Sequence, residues 1–326
     1  MHPEFRCPYD DPKVRDLHRH FWVVAVISNH ARFKSRYDLF LKFRDHVLDQ
    51  LNVNLLTVEC SFGDRAHFVT ETVTRDGDRE IRVQVQTRSW LWLKENLMNI
   101  GARHLPKDCK YVLFSDGDIQ FCNPKIVSEI IHALQTYRVV QPFETCADLG
   151  PKGEILQVHQ SFASCHREGL KFRAPYQSAR RHNPWHPGYC MAFRYETFWE
   201  MGGMPELAIL GAGDHHLCCA LIGKVELSAP GNIGEAYKEY LRHFQSKVDR
   251  AVDGLFGHVE GTILHAFHGH KKDRQYVGRW QILVKHGYDP FVDVYHNSDD
   301  VLELSPGKSG LRDAIIKYFT DRNEDS

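Results

Sequence analysis

Residues 21–27 (FWVVAVI) form an unbroken apolar run that stops at Ser28-Asn29. A run of this length predicts a strand covered on both faces, as in a parallel sheet. Ser28 and Asn29 are good helix caps, and Phe33, Tyr37, Phe40, Leu41, Val47, Leu48 and Leu51 fall on one helical stripe after them. Residues 53–58 (VNLLTV) predict the next strand, so the chain opens strand–helix–strand, the start of a parallel sheet with a right-handed crossover. Ile81, Val83 and Val85 alternate with polar residues, as in a half-exposed strand. Residues 90–100 (WLWLKENLMNI) predict a helix closed by Gly101, and residues 111–114 another buried strand. Asn123-Pro124 opens a helix that buries Val127, Ile130, Ile131 and Leu134, and Val139-Val140 begins a short strand. From residue 144 to 185 the pattern dissolves into loop-like sequence. It returns as a strand at 189–193, a helix around 197–201 and a last helix at 311–319. The pattern as a whole predicts an α/β fold with a mainly parallel central sheet flanked by helices, in one domain over residues 1–326.

The composition, 42% hydrophobic and 25% charged, fits a globular chain, and 326 residues suffice for a large core. No apolar run approaches the roughly 18–20 residues of a membrane span, and the first residues lack a basic-then-apolar signal pattern. The expectation is a cytoplasmic protein with no membrane partner. A net charge of −1 argues against non-specific binding of long nucleic acid. Nine cysteines without a C-x-x-C pair read as reduced apolar fillers rather than a disulfide framework.

Asp116 and Asp118 stand where the buried strand at 111–114 runs out, the place where such sheets bind ligands. Alternate residues of extended chain point the same way, and Gly117 between them gives the backbone room to turn. Two acids so close repel unless a cation neutralises them, so they suit a hard divalent ion, Mg²⁺ or Mn²⁺, shared with a diphosphate. A capped turn is the plain alternative. Asp214, in Gly211-Ala212-Gly213-Asp214, suits a general base, or equally a cap for the helix after it. His265, His268 and His270, with Lys271, Lys272 and Arg274, suit a metal–phosphate site, in which His268 is the expected ligand and the other two histidines support it. Arg167, Lys171, Arg173, Arg180 and Arg181, interleaved with Phe172, Tyr176 and Trp185, read either as a grip on a nucleic-acid backbone or as a solvated loop.

Four segments in order resemble the metal-dependent glycosyltransferases of the GT-A fold, with a core similar to that of the β-1,4-galactosyltransferases. They are residues 94–101 (KENLMNIG); Phe114-Ser115-Asp116-Gly117-Asp118, which matches that family's F-S-D-x-D; Gly188 to Phe193 with Gly202-Gly203-Met204-Pro205; and Gly211-Ala212-Gly213-Asp214. The last departs from the family's G-W-G-x-E-D-D in keeping one acid and no tryptophan. The resemblance spans roughly residues 21–275. It implies a nucleotide-sugar-binding half (21–143) and an acceptor-binding, catalytic half (144–326) with an irregular acceptor side. It also implies Mn²⁺ (or Mg²⁺) on Asp116, Asp118 and His268, with Asp214 as base. Donor contacts fall to Ser28, Asn29, Arg32, Lys94, Ser115, Gly117, Lys271 and Arg274, and acceptor contacts to Arg180, Arg181, Trp185 and Tyr189. A UDP-sugar is the implied donor.

At whole-chain level the sequence is also similar to a family of bacterial and phage proteins, through residues 269–274 (GHKKDR), Arg279-Trp280 and the segment running from Tyr318-Phe319 to residues 322–325 (RNED). GT-A relatives in phages and kinetoplastids glycosylate hydroxymethylated pyrimidines in DNA. The expected reaction is therefore inverting transfer of a sugar from a nucleoside diphosphate to a hydroxymethylpyrimidine such as 5-hydroxymethylcytosine. A glycan or protein acceptor, a nucleotidyltransferase, and a non-catalytic sugar-nucleotide or DNA-binding module are the alternatives. The sequence leaves the sugar and the oligomeric state open.

Overall fold

The computed structural model describes residues 17–70, 79–172, 185–275 and 278–325. Strand β1 (Phe21–Ser28), helix α1 (Lys34–Asp45) and strand β2 (Asn54–Phe62) build the expected parallel opening, extended by β3 (Glu80–Thr87). After α2 (Lys94–Arg103), strand β4 (Tyr111–Ser115) pairs parallel with β1 on its other side. Strand β5 (Ile119–Phe121), helix α3 (Ile126–Thr136) and strand β6 (Val139–Gln141) follow.

The stretch read as loop contains β7 (Thr145–Leu149), β8 (Ile155–Ser161) and α4 (Phe162–Arg167). Its pattern misleads because Ile155, Leu156 and Val158 put apolar side chains on the solvent side. Strands β9 (Trp185–His186) and β10 (Cys190–Arg194), helices α5 (Tyr195–Glu200), α6 (Gly213–Leu221) and α7 (Glu235–Val252), and strands β11 (Phe256–His258) and β12 (Thr262–His265) come next. Helix α8 (Arg279–Lys285), the hairpin β13 (Val294–His296)–β14 (Leu302–Leu304) and α9 (Ser309–Thr320) close the described chain.

The central sheet has the order β11-β6-β10-β4-β1-β2-β3. It is parallel except where β10 inserts antiparallel between β4 and β6, so it is mixed with a parallel majority. Alternation along β1 divides the core. Phe21, Val23 and Ala25 face Phe40, Phe43 and Ile130, whereas Trp22 and Val24 face Leu97, Ile100 and the α5–α7 layer. A second sheet, β5-β12-β7-β8-β9, stands beside the ends of β4 and β10. No helix among the described residues is long and apolar enough to cross a membrane.

Two helix ends differ from those the sequence predicts. Gly101 does not end its helix: α2 lies so close to β1 and β2 that a Cβ there would stand 2.8 Å from Val24 Cγ1. Asn29 does not cap α1 directly. Its side chain accepts from the Phe33 amide at 3.0 Å and donates to the Phe33 carbonyl at 2.8 Å, closing the loop ahead of the helix. The amides of Lys34 and Ser35 donate to the Asp325 carboxylate, both at 2.8 Å, so the cap arrives from the far end of the chain.

Candidate active site

Strand pairing assembles the centre. Parallel pairing of β12 with β7 sets His265 beside Asp148, and antiparallel pairing with β5 sets it beside Ile119, one residue after Asp118. The Ala266 amide then donates to the Asp118 carbonyl at 2.9 Å, which ties the turn carrying the acids to the turn carrying the histidines. Asp118, His265 and His268 offer one ligand atom each, all within 4.8 Å of one another. His268 Nε2 lies 3.0 Å from Asp118 Oδ2, and His265 Nε2 lies 3.8 Å from Asp118 Oδ1.

Each imidazole is held from behind by a buried carboxylate. His265 Nδ1 donates to Asp148 Oδ1 at 2.8 Å, and His268 Nδ1 faces Glu324 Oε2 at 3.3 Å. With an ion bound, a proton held on Nδ1 would leave the Nε2 lone pair free to ligate it, as histidine ligands require. Asp148 also accepts from His159 Nε2 and from the Tyr189 hydroxyl, each at 2.8 Å, so its own position is over-determined. Asp118 Oδ1 is buried with no hydrogen-bond partner among the described residues. Burial works against its charge, but His265, His268 and Arg274 outweigh it and hold the carboxyl below the usual range. A carboxylate and two imidazoles with this backing fit a divalent transition ion, and suit Mn²⁺ better than Mg²⁺, whose usual ligands are oxygens. His265, expected only as support, thus joins the triad. His270 is exposed and packs on Phe267.

Asp116 stands outside that triad and is ion-paired with Lys94 at the start of α2. Burial pushes its carboxyl up, Lys94 works against that, and Asp118 and Asp214 add to the rise. Gly117 has a reason the sequence does not reveal: a Cβ there would stand 2.5 Å from the Phe40 ring of α1, so the glycine admits packing as well as a ligand.

Asp116, Asp118, Lys94 and Asp214 line one cavity of about 670 Å³. Asp214 sits in the first turn of α6 and accepts from the His215 amide at 2.8 Å. Burial opposes its charge, but Lys94 first and His186 next lower its pKa. Glu95, to which the sequence assigns no role, lines the same cavity with Oε2 buried and no hydrogen bond to it among the described residues. Burial raises Glu95 to about 7, with Asp214 adding and Lys94 opposing. Two nearby carboxylates pushed in opposite directions separate into an ionised acceptor of protons and a neutral partner.

Of the remaining expected residues, Ser28, Asn29, Gly117, Arg274, Trp185 and Tyr189 line the cavity. Trp185 Nε1 is buried there with no partner among the described residues. The Tyr189 hydroxyl is committed to Asp148, and its ring stacks on His186 at 3.9 Å. Ser115 is buried below the cavity, its hydroxyl donating to the Asp116 carbonyl at 3.0 Å. Arg32 lines a separate small pocket with Tyr37 and Glu59. Arg180 and Arg181 lie outside the described residues, as does the side chain of Lys271.

No family model matches the chain, and no curated protein matches it. Among solved structures it is similar to the catalytic domain of Drosophila beta1,4-galactosyltransferase 7 in complex with xylobiose. The identity is 13%, with 90% of this chain and 98% of that chain covered and a TM-score of 0.39. A mutant of that Drosophila enzyme in complex with manganese, UDP-Gal and xylobiose gives 12% identity, 91% and 98% coverage and a TM-score of 0.39. A mannosyltransferase from Pyrobaculum calidifontis in complex with GDP-Man and Mn²⁺ gives 12%, 82% and 61%, with a TM-score of 0.38. Likeness of this depth leaves the chemistry to be argued from the side chains.

Proposed function

We propose that this chain is a metal-dependent, inverting glycosyltransferase of the GT-A type. It moves a sugar from a nucleoside diphosphate, uridine-linked by the sequence resemblance, to an acceptor hydroxyl. The observation that carries this is one cavity joining a carboxylate–bis-imidazole triad, a set of cations and an ionised Asp214. A bound divalent ion supplies electrostatic stabilisation to the departing diphosphate. Asp118, His265 and His268 would hold that ion, while Lys94 fixes Asp116 in the same cavity. Arg274, with Nη2 2.9 Å from His268 Nε2, lends positive charge to the same place. The ionised Asp214 accepts the proton of the acceptor hydroxyl. The deprotonating hydroxyl oxygen of the acceptor bonds to the anomeric carbon as the carbon–oxygen bond to the diphosphate breaks, and the nucleoside diphosphate leaves with the electron pair. Attack from the base's side with no covalent intermediate inverts the anomeric centre.

The acceptor in this reading is a 5-hydroxymethylpyrimidine in DNA, flipped from the duplex. Its support is Trp185, in the cavity wall with an indole N–H that no described residue partners, at the end of the sequence stretch that includes Arg180 and Arg181. The test is an incubation with Mn²⁺, a series of nucleotide sugars, and DNA carrying 5-hydroxymethylcytosine or 5-hydroxymethyluracil, read by nucleoside mass. A hexose-type mass gain is expected. Nucleoside diphosphate release without gain on any base rejects the DNA acceptor and leaves a glycan or protein hydroxyl, and a gain of nucleotide mass rejects the transferase. Asp214→Asn should lower kcat by about 10²–10⁴-fold with donor affinity retained. A non-catalytic binding module predicts no turnover for either form.

A further inference from the structure

Residues 322–325 reach back across the molecule to the metal triad. Arg322 is 5% exposed and lines the cavity, with its guanidinium 5.3 Å from the Trp92 ring centroid. Its Nη2 lies 2.6 Å from Glu324 Oε1, while its Nε is buried with no hydrogen-bond partner among the described residues. Arg36, from the first turn of α1, lies 3.4 Å from Glu324 Oε2 and lines the same cavity. Glu324 is 2% exposed and also backs His268. Arg36, Arg322 and Arg274 are near enough to repel: burial first, then these two neighbours, weaken the hold of Arg322 on its proton against the pull of Glu324. The Glu324 carboxylate thus stands between the Arg322 and Arg36 guanidiniums beside the candidate triad, while Arg274 lies near enough to Asp118 to lower its pKa. Buried excess positive charge with a donor left over is the arrangement that receives an anion.

We infer that Arg322 and Arg36 complete the donor pocket as the cations that take its phosphate groups, while Glu324 spaces them and positions His268. The inference rests on the nucleotide-sugar reading and assigns new residues to it. Glu324 therefore has two effects of opposite sign. Its carboxylate strengthens metal binding through His268 and weakens anion binding by neutralising the arginines.

The test uses the full chain and two probes, Mn²⁺ alone and inorganic pyrophosphate in EDTA, followed by calorimetry. Glu324→Gln should weaken Mn²⁺ binding by about 10–100-fold, and should tighten pyrophosphate binding severalfold. Arg322→Gln and Arg36→Gln should each weaken pyrophosphate binding by roughly tenfold, with Mn²⁺ affinity kept. Arg322→Lys, which keeps the charge, should recover much of the loss. The inference is overturned if wild type does not bind pyrophosphate in EDTA, or if Arg322→Gln binds it as wild type does. It is also overturned if Glu324→Gln moves both affinities the same way, which is what damage to the fold would do. Asp118→Asn separates the two readings: it should abolish Mn²⁺ binding and leave pyrophosphate binding in EDTA intact. Failure of wild type to bind Mn²⁺ rejects the metal-dependent transferase, while the pyrophosphate arm still judges the arginines.

Discussion

A histidine becomes a good ligand when something else decides which of its nitrogens carries the proton. Asp148 does this for His265 and Glu324 for His268, through Nδ1 in both cases. Replacing Asp148 with Asn keeps the shape but removes the charge that anchors His265, His159 and Tyr189 together. Mn²⁺ affinity should fall by about 10–100-fold, measured by titration calorimetry, with thermal stability less affected than in Asp148→Ala. The sequence made Asp116, Asp118, Asp214 and the histidine run visible, because acids and imidazoles at strand ends are read directly. It hid Asp148 and Glu324, since one sits in a strand without a strong pattern and the other in a charged end segment. Their meaning comes only from partners 117 and 56 residues away. It also undervalued His265, whose rank depends on strand register. Glu95 was hidden differently: a glutamate in a helix reads as solvated, and only burial reveals its altered acidity.

At the scale of elements, β1, β2 and β4 were legible because strands buried on both faces are continuously apolar. The hairpin β7–β8 was not, because its apolar residues face outward and its inward ones include Asp148 and His159. Helix α1 was predicted with a local cap, yet its first amides are satisfied by Asp325. Loss of an N-cap carboxylate costs about 0.5–2 kcal/mol, and the exposed site puts Asp325→Ala near the lower figure. A matching drop in unfolding free energy is expected from urea denaturation. Asp325→Asn should recover part of it, since its amide oxygen still accepts.

The molecule as a whole buries several histidines in neutral form. Burial lowers His30 and His215 to about 4 and His186 and His216 to about 3. Their ordinary pKa is near 6.5, so below that value the unfolded chain binds protons that the folded chain refuses. Stability from these four is present above about pH 6.5 and is lost as pH falls below it. Glu95 acts oppositely: raised to about 7, it favours the fold at lower pH and loses that contribution as pH rises from 4.5 to 7. Four groups outweigh one. The urea midpoint should therefore fall between pH 7.5 and 5, by on the order of a few kcal/mol in unfolding free energy. A flat midpoint across that interval would mean that these rings are hydrated in solution.

The bracing of His268 by Glu324 also sets an order in time. A nascent chain that has emerged as far as residue 275 already holds Asp118, Asp148, His265 and His268, and the pairing of β12 with β7 and β5 can join the first three of them. His268 stays unaligned, and the amides at the start of α1 stay unbonded, until the ribosome has released residues 324 and 325. The centre is thus finished after the strands that carry its ligands, together with the last helices whose Trp280, Leu283, Leu311 and Ile315 complete the core.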